Sequence, residues 1–251
     1  MTSEERKQKI LEILNKENTV KVNALSKYFK TSEVTIRSDL ADMESKGLLS
    51  RIHGGAISSY KPYYTMNSNQ RISANQPQKT IVAKKISSMI ENNDTVMINS
   101  GTTTLLAFRM LPENINLSIV TNSVAIALEA AENPNYNIVL LGGCINSKYQ
   151  FSFGSDAMHQ LKKYHADKLI LSVDGIDIKS GLSTYYDKEA EIARLMLEQS
   201  DLKIVAADSS KFNRSAFAKI SDLNVVDYIV TDEDLPEKTV KDFAKKKIII
   251  K

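Results

Sequence analysis

Thr31-Ser-Glu-Val-Thr-Ile-Arg-Ser-Asp-Leu40 and, shortly after it, Arg51-Ile-His-Gly-Gly-Ala56 decide the fold of the N-terminal part of this sequence. In the first stretch a hydroxyl residue precedes an apolar pattern, which is typical of a helix N-cap. Glu33 there suits the positive end of the helix dipole. In the second stretch a basic strand enters a glycine turn. A helix closely followed by a hairpin predicts a winged module that binds duplex DNA.

The surrounding residues predict a three-helix unit over residues 1–57. Thr2 and Glu5 have the spacing of a capping box for a first helix. Asn23 is predicted to cap a second helix and Gly47 to end the third. Residues 19–22 predict a short strand, and residues 48–57 predict two strands around the glycine turn. The buried stripe of the third helix is predicted to consist of Val34, Ile36, Leu40 and Met43.

The expected DNA-facing residues lie at the start of the third helix and in the wing. Hydroxyl groups and backbone N–H groups suit phosphate oxygens, and Arg37 can pair with guanine or clamp a phosphate. Asp39, Asp42 and Glu44 are expected to point away from DNA. The alternative is a helical bundle that contacts a protein, because Ser and Thr at a helix start are caps more often than ligands. The predicted DNA-binding residues are Ser32, Thr35, Arg37, Ser38, Arg51, His53, Gly54 and Gly55.

The charge of the chain is unevenly distributed. The net charge is +3 over 251 residues, and all of it lies in residues 1–61, which hold 11 Lys or Arg against 8 Asp or Glu. The remaining residues hold 22 of each kind. This modest basic excess favours a phosphate-facing module at the N-terminal end.

The composition, with 42% hydrophobic and 25% charged residues, is that of an ordinary globular protein. No apolar run reaches the length of a membrane span, and the N-terminal residues lack the apolar stretch of a secretory signal. Cys144 is the single cysteine, which excludes an internal disulfide and a cysteine metal cluster. We therefore expect a cytoplasmic, nucleoid-associated protein without a metal or a cofactor.

The larger part of the chain has a different texture. Residues 58–76 are polar, contain Pro62 and show no period, so they are predicted to form a linker, although Tyr60, Tyr63 and Tyr64 suggest some packing. Over residues 77–251 predicted strands alternate with predicted helices, and several strands are continuously apolar, as central strands covered on both faces are. The predicted fold class is therefore α/β, with an N-terminal winged helix-turn-helix followed by a larger open α/β domain.

Glycine and hydroxyl residues follow several of these predicted strands. Ser100-Gly-Thr-Thr-Thr104 lies where a strand becomes a helix, so its glycine would let a ligand approach the backbone and the helix start would cradle an oxyanion. Ligands of open α/β sheets collect at such carboxyl ends of strands. Lys211 is a candidate counter-charge for a phosphate, and Asp174 a candidate acceptor for sugar hydroxyls. The alternative is a set of hydroxyl-rich helix caps without a ligand. The predicted effector-binding residues are Ser100, Gly101, Thr102, Thr103, Thr104, Asn122, Gly142, Gly143, Asp174, Gly175 and Lys211.

Motifs from both parts occur together and in order in one known family. The motifs are residues 20–29, Thr35-Ile-Arg-Ser-Asp-Leu40, residues 47–56, Asn99-Ser-Gly-Thr-Thr-Thr104, Val120-Thr-Asn-Ser123, Leu141-Gly-Gly143, Asp174-Gly-Ile176, Glu189-Ala190 and Asp208-Ser-Ser-Lys-Phe212. With these motifs the chain resembles the DeoR family of bacterial transcriptional repressors over nearly its whole length. The family commonly has Arg, Asp and Gly where this chain has Ser38, Asn99 and Asn213.

The resemblance implies a repressor of a carbohydrate-metabolism operon that binds double-stranded operator DNA as a homo-oligomer. It implies that a phosphorylated sugar or polyol binds in the C-terminal domain and releases the operator, and that this domain is similar in fold to ribose-phosphate isomerase and CoA transferases. One alternative is a sugar-phosphate isomerase, because Asp174-Gly-Ile-Asp-Ile178 resembles that enzyme's Asp-Gly-Ala-Asp-Glu. Ile178 replaces the glutamate, so ligand binding without catalysis is favoured. The other alternative is a module for a protein partner, without DNA.

Overall fold

A computed structural model describes residues 2–17, 19–45, 48–58, 66 and 68–251 of the chain. It divides into two compact units, Met1–Asn75 and Gln76–Lys251. This boundary lies one residue before the predicted start of the α/β domain. Within the predicted linker the structure has a short helix, α4, at Ser68–Ser73, which sequence reasoning missed. Tyr60, Tyr63 and Tyr64 lie outside the described residues.

Besides α4, the described residues of the N-terminal unit form three helices and a small antiparallel sheet. These elements are α1 Ser3–Glu17, β1 Thr19–Lys21, α2 Val22–Phe29, α3 Glu33–Ser45, β2 Leu49–Ile52 and β3 Gly55–Ser58. Apolar residues from α1, α2 and α3, among them Ile10, Leu25, Ile36 and Leu40, are buried in one core. The sheet has the strand order β1-β3-β2, so the second strand of the wing hairpin pairs with the strand before α2.

Three local predictions for this unit can be checked directly. The capping box is confirmed, because Glu5 accepts from the backbone N–H of Thr2 and the hydroxyl of Thr2 accepts from that of Glu5. The cap at Asn23 is wrong: α2 begins at Val22, so Asn23 lies inside its first turn. The burial of Val34 is also wrong, since its side chain is 76% exposed. Gly47 lies outside the described residues.

The C-terminal unit is organised around a seven-stranded parallel sheet. The strands are β4 Thr95–Ile98, β5 Leu117–Thr121, β6 Tyr136–Leu140, β9 Ala166–Ser172, β12 Ser200–Ala206, β14 Tyr228–Val230 and β15 Ile249–Ile250. Their order across the sheet is β15-β14-β12-β9-β4-β5-β6. The central strands are continuously apolar and fully buried, as in Val96–Ile98 and Leu169–Leu171, which matches the prediction of strands covered on both faces. The helices are α5 Gln76–Ser87, α6 Thr102–Arg109, α7 Val124–Ala130, α8 Ser155–Leu161, α9 Asp187–Glu198 and α10 Glu237–Ala244.

The strand order reverses beside β4. The chain runs outward from β4 through β5 to β6 and then returns to β9 on the other side of β4. This is the topological switch point, outside whose strand ends the ligands of open α/β sheets bind. Two additions were not predicted: a hairpin of β7 (Cys144–Asn146) and β8 (Phe151–Phe153), and an antiparallel sheet of β10 (Gly175–Asp177), β11 (Gly181–Thr184) and β13 (Ala218–Ser221). In the described part of the chain, no helix combines the length and apolar character needed to span a bilayer.

Candidate functional sites

The start of α3 presents a polar surface. The Ser32 hydroxyl accepts from the backbone N–H of Thr35 at 3.1 Å and lies 2.9 Å from the Thr35 hydroxyl, so Ser32 is the N-cap. Arg37 and Ser38 are exposed one turn further on. The Arg37 guanidinium pairs with Glu33 at 3.2 Å, and both side chains are about half exposed. A pair of this kind is weak and leaves Arg37 able to turn toward another anion.

The acidic residues in the middle of α3 bind α1. Asp39 accepts two hydrogen bonds from the Arg6 guanidinium, at 2.5 and 3.1 Å, and its carboxylate is almost completely buried. The hydrogen bond with Asp39 raises the pKa of Arg6 above its ordinary value, although burial acts against it. Asp42 pairs with Lys7 at 2.6 Å. These two carboxylates therefore hold the helix in place within the unit.

The wing is fastened to the far end of α3. Glu44 accepts from the backbone N–H of Arg51 at 2.8 Å and from its Nε at 2.7 Å. The backbone hydrogen bond, and then the side-chain one, lower the pKa of Glu44. The structure thus pairs Arg51, whose side chain is still about half exposed, with a carboxylate of its own unit. Gly54 has φ of 76° at the tip of the turn, beside the exposed His53.

Gly55 has a different role from Gly54. A Cβ at Gly55 would overlap the carbonyl oxygen of Val20 and lie 3.1 Å from the carbonyl carbon of that residue. The glycine therefore allows β3 to pack closely on β1. A side chain at Gly54 would meet nothing within 4 Å, so its requirement comes from the backbone conformation alone.

In the C-terminal unit the loop after β4 is fixed from both sides. The amide of Asn99 donates to the carbonyl of Ser172 at 3.0 Å and accepts from its N–H at 2.7 Å, which bridges β4 and β9 at the switch point. On the other side, the backbone N–H of Ser100 donates to Asn122 at 2.8 Å. Asn122 in turn donates to the carbonyl of Ser152 at 3.3 Å. Asn122 thus positions the loop through its buried side chain.

Gly101 packs closely against the residue that ends β9. Its φ of −178° is ordinary extended backbone, but a Cβ there would overlap the hydroxyl of Ser172 and lie 2.8 Å from the Cβ of Ser172. Packing across the switch point therefore requires the glycine, and its contact with a ligand stays a prediction. Thr104 donates its hydroxyl to the carbonyl of Asn99 at 2.8 Å and is fully buried, whereas Thr102 is partly accessible.

The other predicted glycines also pack against the protein. A Cβ at Gly143, which has φ of 124°, would lie 2.5 Å from the carbonyl oxygen of Phe153. A Cβ at Gly175 would lie 2.7 Å from the carbonyl oxygen of Arg214. Close packing therefore accounts for glycine at positions 143 and 175. Gly142 donates its backbone N–H to Gln160 at 2.9 Å, and a Cβ there would lie 3.1 Å from the side-chain nitrogen of Gln160. The contact of these glycines with a ligand stays a prediction.

Asp174 directly precedes β10, and Asp177 is the last residue of that strand. Asp174 accepts from the Thr184 hydroxyl at 2.9 Å, and that hydroxyl is also 2.7 Å from a carboxylate oxygen of Glu189. Asp177 accepts from the backbone N–H groups of Lys179 and Ser180 and from the Ser180 hydroxyl. Burial acts to raise the pKa of Asp177, but these donors outweigh it and lower the pKa overall.

The strand ends beyond β9 hold a buried charged cluster. Lys211 is 3% exposed, and Asp208, at the end of β12, is fully buried. Lys79, from α5, is also fully buried, and sequence reasoning missed it. Burial acts to raise the pKa of Asp208, but the charges of Lys211 and Lys79 and the donors of Ser210 lower it overall. Asp232, at the end of β14, is buried as well and accepts from the backbone N–H of Ser209 at 2.7 Å.

Most of the predicted ligand residues lie together at the carboxyl ends of the parallel strands. Because β4, β9 and β12 are adjacent parallel strands, the loops after them lie side by side. We call the residues Asn99–Thr104, Asn122, Asp174, Lys79, Asp208 and Lys211 the strand-end cluster. Gly142 and Gly143 follow β6, at the far side of β5, and so lie further from the two lysines.

A winged helix-turn-helix joined to an α/β unit with polar strand ends defines a class of DNA-binding regulator. Comparison with family models agrees: the DeoR-like helix-turn-helix domain matches residues 6–61, and the DeoR C terminal sensor domain matches residues 74–233. The chain belongs to the DeoR family of transcriptional regulators.

Relatives of similar length support this assignment. The chain is 35% identical over 243 residues to a protein of Escherichia coli O157:H7 named for transcriptional repression of the aga operon, covering 96% of this chain and 90% of the relative. It is 32% identical over 251 residues to the transcriptional repressor AccR of Agrobacterium fabrum, covering 97% of each. These relatives are named as regulators, and the protein is a transcriptional regulator and not an isomerase.

Solved structures resemble the chain more distantly. Ribose 5-phosphate isomerase A of Methanocaldococcus jannaschii aligns with 16% identity and a TM-score of 0.42 over 55% of each chain. The delta subunit of eIF2B from Chaetomium thermophilum aligns with 15% identity and a TM-score of 0.46 over 65% of this chain and 57% of that one. The family assignment rests on the sequence comparisons.

Proposed function

We propose that this regulator represses an operon of carbohydrate metabolism and that a phosphorylated sugar or polyol, bound at the strand-end cluster, releases it from its operator. The observation that carries the proposal is the position of this cluster, which lies at the switch point of a parallel sheet in the family's sensor domain. The names of relatives point to sugars. Besides the aga operon protein, the lactose phosphotransferase system repressor of Streptococcus mutans is 29% identical over 238 residues.

The chemistry of the cluster suits an anionic, hydroxylated ligand. A phosphate dianion needs cations and N–H donors, and Lys79, Lys211 and the N-terminus of α6 supply them on neighbouring elements. Asp174 supplies a carboxylate that can accept hydrogen bonds from sugar hydroxyls. Buried lysines bind an anion strongly because little water competes for their charge.

The release mechanism we propose is a shift between two states. Two or more copies of the chain present their α3 helices to spaced half-sites of the operator. The phosphorylated ligand binds more tightly to the state whose geometry fits DNA poorly, and it can shift the equilibrium only by that difference in affinity. The copies are held together by their C-terminal units in this proposal.

The first experiment measures operator binding by the full-length protein, with the labelled promoter of its own gene. The titration uses a panel of phosphorylated sugars and polyols, the same compounds without phosphate, and inorganic phosphate alone. We expect one phosphorylated compound to release the DNA and its unphosphorylated form to fail. Release by the unphosphorylated sugars at equal concentration, or by none of the compounds, would refute the effector assignment.

The second experiment separates the two sites. Arg37→Ala should lower the affinity for specific DNA about 10- to 100-fold and leave the affinity for the effector unchanged. Lys211→Gln should weaken the effector and leave operator binding intact. Lys219→Ala is the matched control, because Lys219 is an exposed lysine of the same unit that pairs with Asp222. An unchanged effector response in Lys211→Gln would remove that lysine from the site.

A further inference from the structure

An exposed apolar side chain lies at the start of α3. Val34 is 76% exposed, although it is a β-branched residue in the first turn of the helix. Valine is a poorer helix former than alanine, so an exposed valine contributes nothing to local helix stability. The core of the unit does not use it either, because Ile36, Leu40 and Met43 form the buried side of α3.

Val34 shares its face with the polar residues already described. Arg37 and Ser38 are three and four residues further along, which places all three side chains on one surface of the helix, and both are exposed. The N-cap Ser32 comes two residues before Val34. An apolar group therefore lies among an arginine, hydroxyl groups and the carboxylate of Glu33, which pairs with Arg37.

We propose that Val34 reads thymine: its methyl groups pack against the C5-methyl of a thymine in the major groove. The major groove presents that methyl at T·A pairs, and an apolar side chain on a recognition helix is suited to contact it. The single strongly preferred χ1 rotamer of valine in a helix means that little freedom is lost on contact. The inference rests on the operator-binding half of the proposed function.

The neighbours of Val34 favour DNA over a protein as the partner of this surface. The N-terminal end of a recognition helix is the part that reaches base edges. Arg37 lies one turn away, and its weak, half-exposed pair with Glu33 leaves it able to turn toward a phosphate or a base. The acidic groups of Asp39, Asp42 and Glu44 are bound to Arg6, Lys7 and Arg51 within the unit.

The test removes methyl groups from each partner in turn: the C5-methyl of thymine, and one or both γ-methyl groups of Val34. Duplexes that the full-length protein selects from a random library define its preferred site. Each thymine of that site is then replaced by deoxyuridine, which lacks the C5-methyl and keeps the same pairing edge. Affinities are measured for the wild type, for Val34→Ala, and for Val34→Thr, which keeps one methyl group. Ser45→Ala, at the exposed far end of α3, is the matched control.

At one thymine of each half-site the deoxyuridine substitution should weaken the wild type about fourfold, as loss of one methyl-sized contact predicts. Val34→Ala should be insensitive to the same substitution, and Ser45→Ala should retain full sensitivity. The inference is overturned if Val34→Ala keeps the wild-type response at every thymine, if the wild type responds at none, or if the selected site contains no thymine. If no duplex is selected at all, the DNA-binding function itself fails, which is a distinct result.

Discussion

Gly101→Ala should destabilise the C-terminal unit through a single steric conflict. The added Cβ would lie 2.8 Å from the Cβ of Ser172 and closer still to its hydroxyl. Rotation of the Ser172 side chain moves the hydroxyl but not the Cβ, so the conflict forces β4 and β9 apart. Overpacking of this kind costs about 1–3 kcal/mol, which for a chain of this size lowers Tm by roughly 2–12 °C.

A double-mutant cycle isolates this contact. Ser172→Gly removes the hydroxyl and the Cβ together, at its own cost of about 0.5–1 kcal/mol for a glycine in a strand. The double variant should be more stable than the sum of the single effects predicts. Gly154→Ala is the matched control: its φ of 100° makes an alanine strained, but the new Cβ meets nothing within 4 Å. Ser172→Gly should give that variant no relief.

Thermal unfolding followed by circular dichroism measures these stabilities, and effector affinity provides a second measurement. If Gly101 serves packing, the double variant should fold and bind the effector. Wild-type stability of Gly101→Ala, or strictly additive effects in the cycle, would refute the steric argument. A double variant that folds normally but no longer binds the effector would show that the ligand itself requires the bare backbone.

Three further predictions concern charged groups. Asp39→Asn should lower the free energy of unfolding of the N-terminal unit by about 3–5 kcal/mol, measured by denaturation, because it leaves the guanidinium of Arg6 without its buried partner. Asp208→Asn should destabilise the C-terminal unit by a comparable amount, and addition of the effector should restore part of that stability. Asp222→Asn is the control: because its pair with Lys219 is exposed, the free energy of unfolding should change by less than about 1 kcal/mol. Glu44→Gln should free the wing arginine and steepen the salt dependence of DNA affinity by about 0.9 log units per log unit of salt, if that arginine then neutralises a phosphate.

The carboxylates of Glu44 and Asp208 determine the direction in which stability changes with pH. Both Glu44 and Asp208 have folded-state pKa values below their ordinary values. Each therefore contributes stability that is present above the pKa of the unfolded chain and is lost as the pH falls through the folded value. In Asp208→Asn the corresponding part of the acid dependence should be absent, which a comparison of unfolding curves from neutral to acidic pH would reveal.

Sequence reasoning predicted the elements whose signals are local. The capping box at Thr2 and Glu5 and the hydroxyl N-cap before the third helix depend on residues close together in the chain, and the structure has both, with Ser32 as the cap. Continuous apolar runs predicted the central parallel strands for the same reason. The sheet of β10, β11 and β13 was missed because its strands are only three or four residues long. In addition, β13 pairs with β11 although it is far from it in sequence, since Thr184 is opposite Ala218.

The error at Val34 was avoidable from helix geometry. Two residues apart on an α-helix lie about 200° apart around its axis, so Val34 and Ile36 cannot belong to one buried stripe. Ile36, Leu40 and Met43 follow the helical period and are fully buried. The prediction relied on the apolar character of Val34 and neglected its angular position around the helix axis.

Lys79 shows the other kind of limit. Nothing in its neighbourhood along the chain distinguishes it from the exposed lysines of an ordinary amphipathic helix. Its burial follows from the packing of α5 beside the ends of β12 and β14, where Asp208 supplies a negative charge. A buried lysine is stable only with such a partner. Lys79 can therefore be identified as a candidate ligand residue only from the structure, in which Asp208 is buried with it. The phosphate-binding role proposed for the cluster therefore depends partly on the charge of Lys79, which no local sequence motif predicts. The contribution of this charge is measured directly by comparing the effector affinities of Lys79→Met and Lys219→Ala.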